Sequence, residues 1–146
     1  RNAVAQAIDV YAPPLGLAGK LRRLRMRLTQ LVLSRQGHTG SFGQCFRTEA
    51  LRAAGGPLSP DWPYVLYDHE LIHRMLKQGP ATGSMALWCE PSPRRSANAH
   101  VRWTLAERLL YHFTPFAAKD WFFYRVLASR FEQRRMVQAN LRQRDW

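Results

Sequence analysis

The stretch Val65 to Gly79, VLYDHELIHRMLKQG, constrains this chain most, because residues that stop regular structure bound it on both sides. Pro57, Pro60 and Pro63 fix a loop before it, and Gly79-Pro80 stops it. The spacing between them predicts a helix whose Leu71, Met75 and Leu76 face a core. Asp68 suits the N-cap or first turn and Glu70 the positive end of the dipole; Arg74 and Lys77 suit the negative end. A carboxylate at that junction is held by backbone N–H groups while its outer face stays open to a cleft, a workable position for a general base.

The same stretch contains a second chemistry. His69-Glu70-Leu71-Ile72-His73 has the HExxH spacing of zinc peptidases, in which two imidazoles on one helical face hold the metal while the glutamate polarises a water. A third ligand of the metzincin type does not follow, and Glu90 is the remaining glutamate that could serve. Arg74 adds a permanent cation directly beside the dicationic site, which is electrostatically unfavourable.

Around this centre the pattern alternates between strand and helix. Ala3 to Tyr11 reads as a buried strand ending at Pro13-Pro14. Leu17 to Leu33 carries an apolar helical stripe of Leu17, Leu21, Leu24, Leu28, Leu31 and Val32, with Lys20, Arg22, Arg23, Arg25 and Arg27 over the rest of its surface. Gln36 to Gln44 is a small-residue loop lacking the grammar of a P-loop, in which Gly40 and Ser41 let a substrate approach the backbone closely. Phe42 to Phe46 continues as a short strand. A short helix with Thr48 as N-cap then ends at Gly55-Gly56, and Ala81 to Cys89 is a further strand. From Trp103 to Arg144 the pattern is helical, as two helices broken near Thr114-Pro115 and dense in aromatic residues, with a basic, polar tail from Arg134 to Trp146 expected to fray.

Length and charge narrow the options. At 146 residues and 46% hydrophobic content the chain buries one domain-sized core. A net charge of +12 implies an anionic partner such as phospholipid headgroups or nucleotide phosphates, and nucleic acid is disfavoured because no aromatic residue interleaves the basic run to stack on bases. No apolar run approaches the ~18 residues of a membrane span. Cys45 and Cys89, far apart and without CxxC spacing, fit a reduced cytosolic compartment as small unpaired core residues. The chain begins Arg-Asn-Ala-Val without an initiator Met, as a piece of a longer protein would.

A longer constellation resembles a known family. Cys45-Phe46-Arg47-Thr48-Glu49-Ala50-Leu51 through Gly55-Gly56, followed by Asp68-His69-Glu70-Leu71, Arg74 and Gly79, is similar to the second half of family 2 glycosyltransferases with the GT-A fold. Order, gaps and residue types agree from about Gly37 to Gly79. The resemblance implies an α/β fold in which residues 1–93 form the acceptor side of a partial GT-A domain, with residues 94–146 as an appended basic, aromatic-rich helical region.

By that resemblance Asp68 falls on the catalytic base, which takes the proton of an acceptor hydroxyl as it attacks the anomeric carbon of a nucleotide sugar with inversion. Glu70 supports the site or caps the helix, and Arg47 and Glu49 pack the loop beneath the acceptor. Arg102-Trp103 is similar to the arginine-tryptophan pair of a motif in processive and lipid-acceptor members, whose preceding glutamine and arginine this chain lacks. There Trp stacks on a sugar and Arg meets a phosphate. Tyr67 departs from the family, which places an acidic residue before the base. The donor-binding half and the Asp-x-Asp that holds Mg or Mn are not in this chain, where Asp9 stands alone, so the fragment by itself is expected to be inactive and to bind no metal. The partners implied are a nucleotide-sugar donor and a saccharide or lipid-linked acceptor, at the inner face of the cell membrane. The Trp103 to Phe131 helices would lie on that anionic surface or pack on the core.

Overall fold

The computed structural model describes residues 1–9, 43–89 and 103–137, with the backbone alone at 7–9 and 84–89, and the helical positions Leu17, Lys20, Leu21, Leu24, Arg25, Leu28 and Val32. Strand β1 (Val4–Asp9) lies at the centre of a three-stranded mixed sheet, between β2 (Gln44–Phe46) and β3 (Ala81–Cys89). β2 runs antiparallel to it, with Val4 opposite Phe46 and Gln6 opposite Gln44. β3 runs parallel, Val4 facing Ala81, and the register shifts between Gln6 and Ile8. A parallel pair needs a crossover, supplied here by helices α1 (Thr48–Ala53) and α2 (Tyr67–Gln78), so the small sheet is α/β in organisation.

At the start of the central strand Ala3, Val4 and Gln6 are covered. Cys45 is exposed, which corrects the expectation of a core cysteine. β2 is an edge strand on which alternate side chains point away from the packed face, and Cys45 takes the outward position. Cys89 has its side chain outside the described set.

Helix α2 is packed on two faces. Toward the sheet, Leu71, Ile72 and Met75 join Ala3, Val4 and Ala50, each large side chain contributing roughly 1.5–3 kcal/mol by burial. On its other side lies an aromatic cluster of Trp62, Val65, Tyr111, Phe122, Phe123, Leu127, Phe131 and Met136. That cluster is built largely by α3 (Leu105–Phe113) and a composite helix α4 (residues 116–133), which begins after Pro115 as the Thr114-Pro115 break predicts. Within α4, Phe122–Leu127 is π-helical, and this wider turn carries Phe122, Phe123 and Leu127 together into the core. Residues from both sides of position 93 thus share one core.

Several boundaries differ from the pattern. Thr48 is the first helical residue of α1, and the cap position falls to Arg47, whose amide extends the β1 ladder by donating to the Ala3 carbonyl at 3.0 Å. The last helix ends at Gln133, since Arg135 has φ of 53° and Val137 bridges back to Tyr64. Trp62, in the proline loop, is a core residue whose Nε1 donates to the Val65 carbonyl at 3.2 Å. The Leu17, Leu21, Leu24, Leu28 and Val32 stripe is helical and exposed.

Candidate active site

Asp68 sits in the first turn of α2, and Leu66, with φ 65° and ψ 29°, occupies the cap position assigned to Asp68 as one option. A left-handed leucine costs about 1–2 kcal/mol and persists only where its surroundings over-determine it. They do so here. The Leu66 carbonyl accepts from the His69 and Glu70 amides, the Val65 amide donates to the Met136 carbonyl at 3.0 Å, and the Leu66 side chain packs on the aromatic cluster. This turn presents Tyr67 and Asp68 half-buried at the start of the helix, where Asp68 Oδ1 accepts from the His69 amide at 3.0 Å.

The nearest polar groups on α2, Glu70 and Arg74, are engaged inward. Glu70 is buried; its Oε1 accepts from Arg74 Nε at 2.7 Å and from the Tyr124 hydroxyl. Burial, and next to it the Glu70 carboxylate, push the Tyr124 phenol well above its usual range, so it stays a donor. Arg74 also donates through Nη1 to the carbonyls of Ala54, at 2.5 Å, and Gly56, at 2.9 Å, which secures the left-handed glycine turn after α1 against α2. Arg74 is therefore an internal brace and not a complement to the helix C-terminus.

His69 and His73 share a face but meet different partners. The His69 ring lies 5.4 Å from both Trp103 and Tyr111, with Nδ1 3.4 Å from the Tyr111 hydroxyl. His73 stacks on Phe123 at 5.5 Å, and its Nε2 lies 2.8 Å from Asp120 Oδ1. Burial, opposed by Asp120, lowers the His73 pKa, and since a carboxylate only accepts, the neutral imidazole donates through Nε2. Lys77 holds both Asp120 oxygens at 2.7 Å. Burial raises the Asp120 carboxyl, but the hydrogen bonds from Lys77 and His73 outweigh it and leave the group below its usual value. The HExxH glutamate thus faces an arginine and a tyrosine in the interior, and among the described residues no three His, Cys, Asp or Glu side chains converge to hold a metal.

Of the other expected residues, Trp103 is brought to the Asp68 end of α2 through His69, with its indole N–H buried and without a hydrogen-bond partner. Arg47 is half-buried beside the sheet, with Nε likewise unmatched among the described residues, whereas Glu49 is exposed. Gly40, Ser41, Glu90 and Arg102 lie outside the described residues, and of Asp9 only the backbone is described. Tyr111, Asp120 and Tyr124 are the functional-site neighbours that sequence reasoning missed. They lie 42, 47 and 54 residues from their partners, too far for any local spacing to reveal. No family model, no curated protein and no solved structure matches the chain.

Proposed function

We propose that this chain is the acceptor-side part of an inverting, family 2-like glycosyltransferase with a GT-A fold, in which Asp68 is the general base. The observation that carries this is the contrast within one helical turn. Asp68 is half-exposed and, among the described residues, bonded only to its own neighbour's amide, while Glu70, two residues on, is buried and doubly bonded. A proton acceptor must reach an outside hydroxyl, and of the two carboxylates in that turn Asp68 is the one accessible to it.

In this mechanism the acceptor hydroxyl lies against Asp68, which takes its proton as the oxygen attacks the anomeric carbon of the nucleotide sugar. The bond to the leaving phosphate breaks on the opposite face, which inverts the configuration. Glu70, Arg74 and Tyr124 do not touch the sugar; they hold the turn that aims Asp68. Trp103, beside His69, offers an aromatic surface for the acceptor ring, with Arg102, Gly40 and Ser41 completing the acceptor and donor contacts. A divalent cation would supply charge neutralisation of the donor pyrophosphate from residues of the other half, and no described residue of this chain is assigned to it.

The test is sugar transfer by the longer protein that this reading implies, assayed with a panel of nucleotide sugars. Asp68→Asn should reduce turnover by about 100-fold or more with the fold intact. Full activity in that variant would overturn the assignment, as would stoichiometric zinc lost from the chain on His69→Ala or His73→Ala.

A further inference from the structure

Helix α3 is amphipathic the wrong way round for a helix of a water-exposed domain. At ~100° per residue, Leu105, Leu109 and Phe113 fall on one side, opposite Glu107 and Tyr111. The polar pair is the buried one: Glu107 and Tyr111 are covered, while Leu105 is 73%, Leu109 47% and Phe113 79% exposed, with Leu110 beside them at 38%. The inversion has a cause in the partners. Glu107 forms a capping box with Thr104 and pairs with Arg134 and, at 3.8 Å, with Arg130; Tyr111 meets His69, and its carbonyl accepts from the buried Lys119. Inward polar contacts this numerous fix the rotation of the helix and turn its leucines out.

We propose that the outer face of α3 docks on an anionic lipid surface. Charge and area choose this occupant over the others. The only acidic residue of α3, Glu107, is buried and paired, Arg108 rims the exposed leucines, and the whole chain carries +12. That complements negative headgroups around an apolar wedge. A second copy would bring the same positive charge, Arg108, against itself, and a helix of nine residues, ~13 Å long, covers far less than the ~1,200 Å² of a stable protein interface. A lipid monolayer accepts an apolar wedge of any size.

Tyr111, on the opposite side of α3 from this face, touches His69, so the helix stands beside the first turn of α2 with its leucines turned away from it. The docking does not rest on the transferase reading.

The experiment is flotation of the full chain with phosphatidylcholine vesicles, with and without phosphatidylglycerol, at physiological salt and without any nucleotide sugar. Binding to the anionic vesicles is expected, weakened about tenfold or more by Leu109→Asp and by Phe113→Ser, and about fivefold by Arg108→Glu. Thermal melts of the variants check that the fold survives. No flotation overturns the proposal, as does flotation that these changes leave intact while Leu21→Asp or Leu24→Asp abolishes it. So does a dimer that Leu109→Asp dissolves in the absence of lipid binding. Flotation without sugar transfer by the longer protein would sink the transferase reading alone.

Discussion

The hydroxyl of Tyr124 donates to Oε1 of Glu70, a residue 54 positions earlier, and so ties the π-helical segment of α4 to the first turn of α2. The same oxygen takes the Arg74 guanidinium, so three side chains meet at one carboxylate.

Removing either donor leaves Glu70 under-satisfied in the interior, but by different amounts. Tyr124→Phe should cost about 1–3 kcal/mol, the loss of one hydrogen bond to a charged, buried acceptor. Arg74→Ala should cost about 3–5 kcal/mol, because it strands a buried carboxylate and frees the Ala54 and Gly56 carbonyls as well. Urea denaturation ranks them, and equal costs would mean that the tyrosine anchors Glu70 as strongly as the arginine does.

The two acidic residues of the α2 first turn should separate stability from activity. Asp68→Asn is half-exposed and bonded only locally, so its unfolding free energy should change by less than about 1 kcal/mol while transfer falls. Glu70→Ala should destabilise by several times that amount, since Arg74 is left a largely covered cation without its carboxylate and Tyr124 loses its acceptor. Paired melts and transfer assays on the two variants give the comparison.

Lys119 is 3% exposed, with its ammonium 4.0 Å above the Tyr111 ring, and burial pulls its pKa down to about 8 from 10.5. Between those values the unfolded chain binds more protons than the folded one, so stability rises with pH, by roughly 3 kcal/mol across the full shift. Above pH 10 the raised phenols of Tyr64 and Tyr124 act the other way, because the unfolded tyrosines lose their protons first. Urea midpoints should therefore climb from pH 8 toward pH 10 in the native chain, and Lys119→Met should flatten the climb.

His73 predicts the acid limb. Its folded pKa lies below 6.5, so as pH falls through 6.5 the unfolded chain takes up the proton first and stability begins to drop. Asp120, held below 3.8 by Lys77 and His73 against its burial, adds its own loss only as pH falls below 3.8. His112, whose pKa burial also lowers, adds to the same limb, so His73→Gln should flatten the decline in urea midpoints between about pH 7.5 and 5 without abolishing it; an unchanged decline would assign it to His112.

What the chain determines by itself is local. The Gly and Pro stops around Val65 to Gly79, the α1 helix ending at left-handed Gly55 and Gly56, the strands at Ala3 and Ala81 and the break at Thr114-Pro115 are all legible because turn chemistry and periodicity act over a few residues. Tertiary packing decided the rest. The HExxH spacing puts two imidazoles and a carboxylate on one helix, yet only α4, arriving from more than 40 residues away, determines that Glu70 meets Tyr124 and His73 meets Asp120. The rotation of α3 is likewise set by the distant Arg134 and His69, which draw Glu107 and Tyr111 inward against the helix's own hydrophobic pattern. A buried charge without its partner costs more than a few exposed leucines, and no window along the sequence contains that comparison.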